Sequence, residues 1–250
     1  MKQKMIYVVL ILIFAGILLA TGWKIHQIHS EYQSGETVYE ELEQYAPSES
    51  GSDLSSDSSQ SGESKAQVDF GALNSINPDT KAWIRCPGTT INYPVVQSED
   101  NAYYLKHLFD GRYNSAGSIF LDSRNASDFS DLHNIIYGHH LKNGKMFSVL
   151  LNYKEQDFYN EHQVMELITP EQNYIIKIFA GYVSNVADAA WKINFSSAEE
   201  YALWIENAIE RSCFKSEIVP AATDQIVTLS TCSYEFDNAR FVLLGVLKQI

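Results

Sequence analysis

Thr228-Leu229-Ser230-Thr231-Cys232, close to the C-terminal end of the sequence, reads as a β-strand that stops on a thiol. Gln225-Ile226-Val227 ahead of it adds β-branched residues that suit a pleated, half-buried surface. Ser233-Tyr234-Glu235-Phe236-Asp237-Asn238 is polar enough for a loop, and Arg240 to Leu247 is a second apolar strand. Two such strands joined by a short polar loop form an antiparallel hairpin. Cys232 then closes one strand as Arg240 opens the next, so thiol and guanidinium can face each other across the mouth of the loop. A cation beside a thiol favours the thiolate, and the thiolate is the nucleophile.

A nucleophile of this kind needs a proton carrier. Working outward, the next strand to end on a reactive side chain is Asn134-Ile135-Ile136-Tyr137-Gly138-His139-His140. Gly138 permits a close approach or unusual dihedrals just before His139. A cysteine and a histidine far apart in sequence can meet in the fold as nucleophile and acid/base. Singly, each residue has a plainer reading. His139 and His140 could be loop histidines, Cys232 a small buried hydrophobe, and Arg240 a surface charge. The set of three strand-end residues is what points to catalysis. A metal site does not fit, because no Cys, His or carboxylate spacing accompanies the histidine pair. Cys86 and Cys213 lack such company and read as structural residues, with disulfide pairing between them as the other option. Glu235 and Asp237 are candidate acidic neighbours of the site.

The remainder reads as many short strands between turn signals, a pattern of barrels and sandwiches. Strands are expected at Lys81–Cys86, Ile91–Val96, Ser118–Asp122, Val164–Thr169 and Tyr174–Val183. Pro94 suggests an edge or a bulge in the second of these. Helical segments are expected at Phe70–Ile76, Asn101–His107, Lys145–Tyr153 and Ser197–Cys213, the last opened by Ser196-Ser197-Ala198-Glu199, close to a capping box.

The chain has 250 residues and a formal net charge of −13, which argues against nucleic-acid binding. Much of the acidity lies between Glu31 and Gln67, where Lys65 is the only lysine or arginine. Lys2 and Lys4 precede an apolar run from Met5 to about Ala20 that Trp23 and Lys24 close. This run is near the roughly 17–25 residues that cross a bilayer. The flanking lysines predict a cytoplasmic N-terminus and an external C-terminus. A cleaved signal peptide shares the pattern; the length of the run and the position of Trp23 favour an uncleaved anchor. Residues 1–23 are thus expected as start and anchor, and 24–46 as an amphipathic helix bearing Ile25, Ile28, Tyr32, Val38, Leu42 and Tyr45, weakened in its middle by Gly35. Residues 47–67 are expected as a serine-rich acidic flexible linker, and 68–250 as the folded catalytic domain.

With Thr228–Cys232, Arg240 eight positions later and Ile136-Tyr137-Gly138-His139-His140, the chain resembles the class B sortases, membrane-anchored cysteine transpeptidases of Gram-positive bacteria. The resemblance runs from roughly Ile76 to Ile250. It implies a mainly β fold, a closed eight-stranded barrel with peripheral helices, behind a transmembrane helix and a linker. By position it implies Cys232 as nucleophile, His139 rather than His140 as general acid/base, and Arg240 as stabiliser of substrate and oxyanion. It also implies substrate contacts at Asn101, Leu105, Tyr137 and Ser230. The family's frequently acidic position after the cysteine is Ser233 here. The partners implied are secreted proteins with a C-terminal sorting motif and a peptidoglycan amine, at the outer face of the membrane, with no cofactor, metal or nucleic acid. A hydrolase that uses water, a pilin-polymerising enzyme and a non-enzymatic cell-wall-binding barrel are the competing readings.

Overall fold

The computed structural model describes residues 2–47 and 68–250; the expected linker, apart from Pro47, lies outside the described residues. In chain order the elements are α1 (Lys2–Leu42), α2 (Phe70–Ile76), β1 (Thr80–Arg85), β2 (Asn92–Val96), β3 (Ile119–Leu121), β4 (His133–Tyr137), α3 (Gln156–Glu161), β5 (Val164–Ile168), β6 (Asn173–Asn185), α4 (Ala198–Glu210), β7 (Ile226–Cys232) and β8 (Ala239–Gln249). The strands close into one barrel in the order β1-β2-β3-β4-β7-β8-β6-β5, with β5 pairing back onto β1. Closure removes the exposed edges that an open sheet would have to protect. Two neighbour pairs are parallel, β2 with β3 and β4 with β7; the others are antiparallel.

Alternation along the strands builds two apolar layers. Val227, Leu229, Phe241 and Leu243 belong to the central core with Trp83, Ile84 and Ile136. Their neighbours Ile226, Val242, Leu244 and Val246 face the other way and pack beneath α4 through Tyr201, Trp204, Ile205 and Ala208. Serine caps α4, as the sequence suggested, but one residue later than read. Ser197 Oγ accepts from Glu200 N at 3.2 Å, and Glu200 returns its carboxylate to Ser196 N at 2.7 Å. The helix ends at Glu210 rather than Cys213, because Cys213 N is taken by Gly181 O of β6 at 2.7 Å.

The one or two helical turns expected in Asn101–His107 are a single 3-10 turn at Tyr103–Leu105. Lys145–Tyr153 differs from expectation, yielding a 3-10 stretch at Ser148–Lys154 followed by the short α3, because its buried Leu150 and Tyr153 imitate a helical face. The N-terminal helix also differs. α1 runs unbroken through Gly35, where a Cβ would sit 3.4 Å from Asn114 Nδ2, so the glycine permits close contact with the barrel. Its first half is long and apolar enough to cross a membrane. The docked face is Glu31, Ser34, Gly35, Val38, Tyr39 and Leu42; Ile25 and Ile28 of the expected stripe are exposed.

Candidate active site

The β7–β8 hairpin sets the first half of the site. Its register pairs Leu229 with Leu243, Ser230 with Val242, Thr231 with Phe241 and Cys232 with Arg240. Directly opposed residues share a face, and neighbours alternate. Cys232 and Arg240 therefore share the face opposite to Phe241, and both are partly exposed. Arg240 donates to its neighbour Ala239 O at 2.9 Å and has no ion-pair partner among the described residues, so its charge remains open to a ligand.

β4 supplies the second half. It lies parallel to β7, with Tyr137 opposite Ser230, and Gly138 N extends the ladder by donating to Ser230 O at 3.1 Å. Continuing this register brings residue 139 level with residue 232. Gly138 is required at this point, since a Cβ there would land 2.4 Å from Ile119 Cδ1 and 2.6 Å from the Phe147 ring. His139 O accepts from Phe147 N at 3.0 Å, and Nε2 lies 2.8 Å from Leu105 O. A carbonyl only accepts, so Nε2 carries the hydrogen and Nδ1 is the ring nitrogen free to exchange a proton. His139, Cys232 and Arg240 thus stand at one end of three adjacent strands. His140 has a different setting. It forms an isolated β-bridge with Met146, packs 5.3 Å from the Tyr234 ring, and its Nδ1 is buried without a hydrogen-bond partner among the described residues.

The floor beside the thiol is built by residues that sequence reasoning partly missed. Tyr137 donates to Asp122 Oδ2 at 2.9 Å, and Arg124 pairs with the same carboxylate at 2.7 Å. Burial pushes the Asp122 carboxyl up, but the side chain and backbone N–H of Arg124, with Asn101 and Tyr137, outweigh it and hold it at about 2. Burial, with that carboxylate beside it, drives the Tyr137 phenol up, so it stays protonated and a donor. Trp191 Nε1 donates to Ser230 Oγ at 3.2 Å, laying the β6–α4 connection against β7. Asn101 Oδ1 accepts from Ser123 N at 2.8 Å. Of the four expected substrate contacts, Tyr137 and Ser230 are register partners, Asn101 borders the same carboxylate, and Leu105 holds His139 through its carbonyl while its side chain is exposed. Asp122, Arg124 and Trp191 carried no sequence signal, because their pairing depends on loops brought together only by barrel closure.

Of the expected acidic neighbours, Glu235 bonds Lys154 and Ser233, the residue that follows Cys232, while Asp237 is exposed. Cys86 and Cys213 are both free, so the disulfide option is corrected. Cys86 is buried beside Tyr153 OH at 3.7 Å, and burial pushes both thiols up. A cleft of about 220 Å³ between α1 and the loops around Thr90 and Asn143 does not include Cys232, His139 or Arg240.

Comparison with known proteins gives a consistent picture. The chain is 30% identical over 240 residues to sortase B of Listeria monocytogenes, covering 95% of each chain. The structure of Bacillus anthracis sortase B in complex with AAEK1 aligns with a TM-score of 0.75 and 32% identity, covering 89% of this chain and 100% of that one. The Staphylococcus aureus sortase B–substrate complex aligns with a TM-score of 0.69 and 32% identity, covering 72% of this chain and 85% of that one. No protein-family profile matches the chain.

Proposed function

The chain belongs to the class B sortases, cysteine transpeptidases, and from that premise we propose that it cleaves a C-terminal sorting motif of secreted proteins after threonine and transfers them to a cell-wall amine. One observation carries this reading: the β4–β7–β8 register, which supports a thiol, an imidazole and a guanidinium without an ion-pair partner among the described residues at one barrel end.

In the proposed reaction the Cys232 sulfur, as thiolate, bonds to the threonine carbonyl carbon, and the carbonyl electron pair moves onto oxygen. Arg240 faces that oxyanion, where a donor counts most because the charge appears only in the transition state. As the intermediate collapses the C–N bond breaks, and doubly protonated His139 gives the proton from Nδ1 to the leaving amine while Nε2 stays on Leu105 O. A thioester on Cys232 remains. An incoming amine attacks that carbonyl, His139 takes its proton at Nδ1, and the thiolate leaves. Tyr137, Ser230, Asn101 and Leu105 are assigned to the sorting motif, of NPxTN or (S/P)PxTG pattern as in the family. The apolar half of α1 is assigned to the membrane, with Lys2 and Lys4 inside and the barrel outside, at the cell wall.

A hydrolase with the same residues would use water as acceptor. Incubating the enzyme with NPxTN- and SPxTG-pattern peptides, with and without diaminopimelate or oligoglycine, separates the two. A transpeptidase yields the amine adduct by mass, and Cys232→Ala yields neither adduct nor cleavage. Acid product alone with amine present, or unchanged turnover in Cys232→Ala, would contradict the reading.

A further inference from the structure

We propose that Tyr39, on the helix that continues from the apolar anchor segment, is a positioning residue for His139, so that the docked half of α1 completes the seat of the proton carrier. The proposal rests on the reading above that His139 carries the proton. Tyr39 OH donates to Gly117 O at 2.7 Å and lies 3.0 Å from Ser118 Oγ. Gly117 adopts φ +60°, and a Cβ there would meet Tyr104 O at 2.6 Å, His139 Cδ2 at 2.9 Å and Leu105 O at 3.0 Å. The residue that Tyr39 holds therefore touches both the imidazole and the carbonyl that fixes its Nε2 hydrogen.

The same loop is gripped at further points. Glu31 Oε1 accepts from Ser115 N at 2.7 Å, and Asn114 Nδ2 donates to Glu31 O at 2.7 Å and Ser34 Oγ at 3.2 Å. Ser118 N donates to Tyr104 O at 2.9 Å, and Ser118 Oγ to His107 O at 2.9 Å, tying the loop to the turn that bears Leu105. One helix face thus holds residues 114–118, and those residues hold the turn and the ring. A displacement of Leu105 O by a fraction of an ångström frees the imidazole to exchange tautomers and removes Nδ1 from its working position, at small cost to the barrel.

The test uses the full chain in lipid nanodiscs. Tyr39→Phe keeps the ring and its edge-on contact with Tyr93, whose centroid is 5.5 Å away, and removes only the hydroxyl. The expected result is a kcat lower by about tenfold, as for other small misplacements of a catalytic group, with the peptide KM within about twofold and an unchanged unfolding midpoint. Ring ¹⁵N spectra should show His139 as the Nε2–H tautomer in the native chain and as a mixture in the variant. Glu31→Ala, which releases Ser115 N, should move kcat in the same direction. Native kcat and an unchanged His139 spectrum in both variants would overturn the proposal, as would a rise in KM with kcat intact. His139→Ala, run alongside, keeps the two readings apart. If it retains turnover, the proton-carrier reading fails and this proposal with it; if it is inactive while Tyr39→Phe is native-like, only the role of Tyr39 fails.

Discussion

Gly117 carries two constraints at once: a left-handed φ of +60° and contact with the His139 ring. An alanine there is strained in its backbone and places a methyl against the imidazole. Gly144, at φ +78°, faces open space and shares only the first constraint. Gly117→Ala should therefore lower turnover by more than about tenfold, whereas Gly144→Ala should lose only stability, on the order of 1 kcal/mol, with turnover kept. Peptide-cleavage rates and urea unfolding of the two variants make the comparison. Turnover reduced equally in both would refute the role given to Gly117. Cys232, His139 and Arg240 were legible in the sequence as a set of residues at or beside apolar strand ends, while their roles, and the choice of His139 over His140, were implied by the family resemblance. Gly117, Asp122 and Trp191 were not, since nothing near them in sequence reveals which ring, carbonyl or strand they meet.

The parallel β4–β7 pair is the element on which the site depends, and it is fixed near its other end by a buried histidine. Nε2 of His133 accepts from Thr228 Oγ1 at 2.7 Å, and its Nδ1–H donates to Lys192 O at 2.7 Å. Burial pushes His133 down to about 4, so the ring is neutral in the folded state. An unfolded histidine binds its proton near pH 6.5, so the unfolded chain carries the extra proton between these values. The stabilisation is then complete above about pH 6.5 and is lost as pH falls towards 4, amounting to roughly 3 kcal/mol. Asp122 and Glu235, both held at about 2, lose their favourable pairing below the usual carboxylate range, at lower pH than the start of this fall. Urea unfolding from pH 7 to pH 4 should show the decline, and His133→Gln should flatten it; equal slopes in the two proteins would remove His133 from this role. The hairpin and most strands were readable from alternation. The β4–β7 pairing was not, because the two strands are separated by nearly a hundred residues. The 3-10 stretch at Ser148–Lys154 imitated a helix because its apolar residues, Leu150 and Tyr153 among them, face a barrel the sequence does not display.

At the scale of the whole molecule, closure of eight strands and docking of α1 bring the anchor helix, the 104–118 segment and three strand ends into one assembly. Strand count and turn spacing alone left barrel and sandwich equally open; the family resemblance, carried by a few motif residues, pointed to the barrel, and the structure has it. The helical nature of the N-terminal segment was legible, and so was part of its docked face: Val38 and Leu42 of the expected stripe are buried in the core and Tyr32 and Tyr45 pack against it, while Ile25 and Ile28 are exposed. The polar grip of Glu31, Ser34 and Tyr39 on the barrel was not legible, because no apolar periodicity marks it. The central claim is that the thiol at the end of β7 forms a covalent link to substrate that an amine then resolves. It is tested most directly by trapping the enzyme with an NPxTN-pattern peptide and mapping the adduct by mass spectrometry. The account predicts an acyl group carried on Cys232 alone, hydroxylamine-labile, absent from Cys232→Ala and lost when diaminopimelate or oligoglycine is added. An adduct on Cys213, or turnover that proceeds with no acyl group on any cysteine, would contradict it.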